Sequence, residues 1–96
     1  MVIAACTITL HLHDNHSLKG KRQVVRSLVE KLRARFNASV AEVADQDLWQ
    51  RAVIGAACVS GDAQHANEMI NRIVGFVEAH AEAEVLDVQV ELVHAL

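Results

Sequence analysis

Between positions 11 and 17 the chain reads His11-Leu12-His13-Asp14-Asn15-His16-Ser17. Two histidines two residues apart at a strand end point the same way, and a third follows in the next loop; zinc accepts ligands at such spacing. No Cys/His pair at zinc-finger spacing accompanies them, so surface histidines are the simpler reading of His11, His13 and His16. Asp14, His16 and Ser17 are the residue types of a hydrolytic triad. They lie too close along the chain to set nucleophile, base and orienting acid in line, and Ser17 explains itself as a helix cap. Cys6 and Cys58 read as small buried thiols, with no basic neighbour to make a thiolate. The four glycines form no phosphate-binding pattern. The expectation is a protein without catalytic residues, cofactor or resident metal.

The strongest signal is charge placement. Residues 17–36 hold Lys19, Lys21, Arg22, Arg26, Lys31, Arg33 and Arg35 against the single acid Glu30, a net +6. The remainder has two bases and eleven acids, a net −9, so the whole-chain charge of −3 conceals a strongly basic segment. At 100° per residue Lys19, Arg22, Arg26 and Arg33 fall within about 60° of one another and form a ridge about 20 Å long. Such a row can follow a phosphate backbone with little sequence selectivity. The ordinary alternative is a solvated helix face whose long stems cover the edge of the core.

Hydrophobic periodicity supplies the elements that position these residues. Residues 2–12 alternate, with Ala4, Cys6, Ile8, Leu10 and Leu12 on one face, and read as a strand. From Leu18 to Phe36 the period is helical, with Leu18, Val25, Leu28, Val29, Leu32 and Phe36 on one stripe, and Asn37 is expected to end it in the left-handed region. Residues 38–44 and 50–60 read as strands joined by a turn over 45–49. After a break with capping residues at Ser60-Gly61-Asp62, a second helix runs to about His80, with Met69, Ile70, Ile73, Val74 and Val77 inward. Residues 85–93 form the last strand, with Leu86, Val88, Val90 and Leu92 sharing a face.

The order βαββαβ with right-handed crossovers predicts one α+β domain over residues 1–96. It is a ferredoxin-like two-layer sandwich with antiparallel sheet order 4-1-3-2. That topology gathers the loop after the first strand, the hairpin and the connection into the last strand at one end of the sheet. His13, Asn15, His16, Lys19, Asp45, Asp47, Trp49 and His80 are expected there. The other sheet face carries Ala5, Thr7, Val53, Ala57 and Val59, too apolar to be simply wet, which predicts a homodimer, with pairing through the second or fourth strand at a sheet edge as the other route. Phe36, Phe76 and Trp49 are the only aromatic residues besides histidine, and none falls on the open face of a central strand. Base stacking on the sheet in the manner of an RNA-recognition motif is thereby excluded.

Composition sets the class. The chain is 52% hydrophobic and 22% charged, which excludes a disordered tail. No apolar run approaches the ~20 residues of a membrane span, and the N-terminus lacks the pattern of a secretory signal. Two cysteines and no proline fit a cytoplasmic, reducing compartment.

Three stretches together carry a resemblance: HSLKGKR at 16–22, RFNASVAEV at 35–43 and DLWQRAVIG at 47–55. With the same element order over essentially the whole chain, they resemble the YlxP-like family of short bacterial cytosolic proteins. The resemblance implies a ferredoxin-like fold and supplies no reaction or catalytic set. It also implies a genomic setting beside translation-initiation and ribosome-maturation factors. The matched polar positions are His16, Ser17, Lys19, Lys21 and Arg22 in the first stretch, and Asp47, Trp49, Gln50 and Arg51 in the third. Gly20 departs from the family, which carries a charged residue there, and His11 and His13 lie outside the family pattern.

These observations combine into an expectation of an accessory protein that binds ribosomal RNA or the small ribosomal subunit. Lys19, Arg22, Arg26 and Arg33 would contact phosphates, Lys21 and Arg51 would extend the surface, and His16, Asp47, Trp49 and Gln50 would shape its end. Trp49 is expected to pack as a lid there, with an exposed contact residue as the alternative. The competing expectation is an oligomerising or regulatory interaction module without nucleic acid.

Overall fold

The computed structural model describes all residues 1–96. Its elements are β1 (Val2–His11), α1 (Leu18–Arg35), β2 (Ser39–Ala44), β3 (Arg51–Ser60), α2 (Ala63–His80) and β4 (Glu84–His94). The strands form one sheet ordered β2-β3-β1-β4, every pair antiparallel. Two helices on one face of such a sheet make the ferredoxin-like sandwich that the periodicity predicts.

The core lies between sheet and helices. Ala4, Cys6, Ile8 and Leu10 of β1 and Ala52, Ile54, Ala56 and Cys58 of β3 are buried beneath Leu28 and Leu32 of α1 and Ile70, Ile73 and Val77 of α2. Both helices begin on the caps their sequences supply. The Ser17 hydroxyl accepts from the Gly20 amide, and the Asp62 carboxylate accepts from the Gln64 amide. The end of α1 departs from expectation. The chain leaves extended at Phe36, whose amide still donates to the Leu32 carbonyl, so Asn37 has no left-handed role.

Two irregularities re-aim the edge strands. In β4 the register slips between the partners of Thr9 and Leu10, so that Val85 opposes Leu10 and Asp87 opposes Thr9. Leu86 is the extra residue and stands 48% exposed instead of joining the buried row. Val90 and Leu92 do share the helix-side face, but they lie on an edge strand beyond the cover of α2 and stay largely exposed. In β2 the shift falls between Glu42 and Ala44 and throws Val43 over Gly55. A Cβ at Gly55 would come 2.8 Å from Val43 Cγ1, so the bulge needs glycine opposite it.

The helices are offset along their layer. Arg35 lies over the Phe76 ring at 5.0 Å, and Phe36 meets the same ring edge-on at 5.9 Å. The end of α1 thus docks on the last third of α2, and residues 81–83 bend from its end into the start of β4.

Candidate functional site

The end of the sheet that the topology singles out is assembled by named contacts. The Leu12 amide donates to the Gln50 carbonyl at 2.8 Å, closing the β1–α1 loop against the hairpin. The Asn15 side chain donates to the carbonyls of Ser17 and Trp49, and Gln50 Nε2 donates back to the Asn15 carbonyl at 3.1 Å. Gly20 makes this possible. A Cβ there would fall 2.3 Å from Asn15 Oδ1, so a larger residue would have to displace that side chain. His13 joins the α2–β4 connection through the Glu84 carboxylate.

The cations expected to form one surface divide into two groups. Lys19, Arg22 and Arg26 are exposed and make no ion pair. Lys21 is fully buried, which removes it from any RNA-contacting surface. It sits on the inward row with Val25 and Leu32; its Nζ lies 3.0 Å from Glu42 Oε2 and donates to the Asp45 carbonyl. The contact with Glu42 is electrostatic rather than an aligned hydrogen bond, since no donor is directed at Oε2. Arg33 is exposed but committed: Nε and Nη2 both donate to the Val40 carbonyl on the outer edge of β2, at 3.1 and 2.6 Å. Arg51 starts β3 and pairs with Asp45 at 2.8 Å, away from the α1 flank. The free ridge therefore shortens from about 20 Å to about 10 Å, the rise from Lys19 to Arg26.

Trp49 is no lid. Its side chain stands 56% exposed beside Leu48, 48% exposed, at the tip of the hairpin, while its carbonyl is held by Asn15. The tight turn needs a left-handed residue at Asp45 (φ 59°), which leaves the apolar pair on the outside. Asp47 and His16 are exposed at the same end, and Gln50 is the half-buried strut of the loop.

The three loop histidines do not converge. His11 and His13 meet edge to face with centroids 4.2 Å apart, and no three His, Cys, Asp or Glu side chains are arranged to hold an ion. Cys6 and Cys58 are buried free thiols, both pushed above the ordinary thiol range mainly by burial.

One feature escapes the sequence reading. Between α1 and the α2–β4 connection runs a polar groove of ≈ 230 Å³ bordered by Gln23, Ser27, Lys31, His80 and Glu82. It opens into a hollow of ≈ 590 Å³ at His13, Asn15 and Glu84. The signal for it was the row Gly20, Gln23, Ser27, Lys31 at helical spacing, small or polar on the flank that meets α2. The helix offset that opens the groove has no local signature. No helix here is long and apolar enough to cross a membrane.

The de novo designed protein Ferredog-Diesel aligns over 93% of this chain and 83% of its own, with 13% identity and a TM-score of 0.43. A Deinococcus radiodurans protein described as "a putative antibiotic biosynthesis monooxygenase" aligns over 99% of this chain and 92% of its own, with 16% identity and a TM-score of 0.45. Neither likeness says anything about chemistry in this chain. The Bacillus subtilis (strain 168) protein named "Uncharacterized protein YlxP" is 33% identical over 73 residues, 76% of this chain and 79% of that one. The family model described as "Protein of unknown function (DUF503)" matches residues 3–90, spanning all three motifs and every strand except Val2 of β1 and the end of β4. The chain belongs to this DUF503 family, the YlxP-like group.

Proposed function

We propose that this protein is a non-enzymatic accessory module that docks on structured RNA, with the exposed flank of α1 against the phosphate backbone. The observation that carries the reading is the row Lys19, Arg22 and Arg26. These are three exposed cations at i, i+3 and i+7 without an ion-pair partner, on the one basic element of an acidic chain. A charge left unneutralised within the molecule is available to an anion outside it, and a row about 10 Å long matches two or three successive phosphates. Trp49 and His16, exposed at the same end, offer an aromatic ring and an imidazole beside that row. A ribosomal particle is the proposed target because the family resemblance implies a translation setting.

The test is co-sedimentation with small ribosomal subunits, followed by titration of a structured ribosomal RNA fragment at several salt concentrations. Three phosphate contacts predict that log K falls against log salt with a slope of about −2 to −3. Reversing Arg22→Glu with Arg26→Glu should abolish most of that slope and weaken binding at low salt. Unchanged binding by the double variant would remove this flank as the contact surface.

A further inference from the structure

The face of the sheet turned away from the helices is covered by nothing in the chain, although its central strands carry mainly small and apolar side chains. Val93, Ile3 and Val59 lie side by side in one row, and Glu91, Ala5, Ala57 and Ser39 form the next. Val59 is 61% exposed and Val93 41%. Two depressions flank the centre. One, of ≈ 730 Å³, opens toward β2 and is reached by Arg33 from around the sheet edge. The other, of ≈ 400 Å³, opens toward β4 and has Glu91 on its rim.

We propose that a second copy of this chain covers this face, sheet against sheet, about a two-fold axis parallel to the strands. The area suffices. The 37 strand residues, at about 3.3 Å along and about 4.8 Å across the sheet, give roughly 600 Å² per protomer and roughly 1,200 Å² for the pair, above the roughly 1,000 Å² expected of a stable contact.

Charge selects the axis. An in-plane two-fold running across the strands lays β4 on its own copy and brings the acids Asp87 and Glu91 of the two protomers together. A two-fold running along the strands lays β4 over the β2 of the other protomer and preserves height along the strand. Glu91 shares its row with Ser39, and Arg33 is bonded to the carbonyl of the adjacent Val40. Each Glu91 therefore arrives level with the Arg33 of the other protomer, across a sheet separation of about 10 Å that the two long side chains span together. The Nη1 group of Arg33, unused by Val40, is free to receive the carboxylate. The rim thus carries complementary charge twice over by symmetry, around a centre of small uncharged residues. The inference stands apart from RNA binding, because Lys19, Arg22 and Arg26 belong to the helix layer and stay outside such a dimer.

The experiment is sedimentation velocity on the untagged full chain from about 1 to about 200 µM. The expected species is about 21 kDa, twice the 10.5 kDa chain mass. Thr7→Lys and Ala57→Arg, at the centre of the face, should each give a monomer with an unchanged far-UV spectrum; if one fails to fold, the other carries the test. Arg33→Glu and Glu91→Arg should each raise the dimer Kd about tenfold, and the double variant should return it to within about threefold of the parent. A parent chain that is monomeric throughout overturns the proposal. So does a dimer that survives both central substitutions, which would be pairing through an edge strand. A double variant no tighter than either single one overturns the proposed axis.

Discussion

Lys21 and Arg22 are sequence neighbours of like charge with opposite fates. One lies on the buried row of α1 against Glu42, and the other points to solvent. Lys21 is tolerated inside because the Asp45 carbonyl accepts from its ammonium and the Glu42 carboxylate lies beside it as countercharge, and removing the lysine alone would leave a mostly buried Glu42 without that countercharge. Lys21→Met is therefore expected to cost about 2–4 kcal/mol in urea unfolding at neutral pH, and the pair Lys21→Met with Glu42→Leu to recover most of it. A double variant as unstable as the single one would show that packing, not charge, is at stake. The helical wheel places Lys21 100° or more from every member of the ridge, on the same side as Leu28 and Leu32, which is a legible warning. Its partner was not legible, because Glu42 reaches it from a different strand.

At the level of elements, N-terminal caps and periods behaved as local chemistry dictates, while the left-handed end expected at Asn37 did not form. Ser17 and Asp62 start the helices, and the strands lie within one or two residues of their alternating segments. The misses occurred where a neighbouring element intervened. The bulge opposite Thr9 and Leu10 moved Leu86 out of the buried row, and Asn15 pinned the hairpin so that Trp49 faces solvent. Gly20→Ala tests that pin. The added methyl must displace Asn15 from its contacts with Ser17 and Trp49, while alanine gains about 1 kcal/mol of helix propensity. Global stability is expected to change by less than about 1 kcal/mol, whereas amide exchange over residues 45–50 should accelerate markedly. Unaltered exchange in the hairpin would mean that Asn15 does not hold it.

For the molecule as a whole, the two buried thiols give a stability that depends on pH in a definite direction. Burial raises both, so the folded chain keeps its protons where the unfolded chain begins to release them. The contribution is complete below the ordinary thiol range and is lost as pH climbs through it toward the raised folded values. With no tyrosine in the chain, few other groups compete there. The urea midpoint should be lower at pH 9.5 than at pH 7.5, and Cys6→Ala with Cys58→Ala should flatten that difference; an equal slope in the double variant would assign it to other groups. Element order, sheet order, the core rows and the basic character of α1 could all be read from residues 1–96 alone, since hydrophobic period, capping and net segment charge are local properties, and crossover handedness leaves few ways to arrange four strands and two helices. Which cations stay free, where Trp49 points, and that a groove opens beside α1 followed from contacts between elements far apart in the chain: Glu42 with Lys21, Val40 with Arg33, Asn15 with Trp49, and Phe76 with Arg35 and Phe36. A side chain's periodicity says which way it faces, but the charge or carbonyl that meets it is supplied by whatever element packs there, and no local pattern encodes that partner.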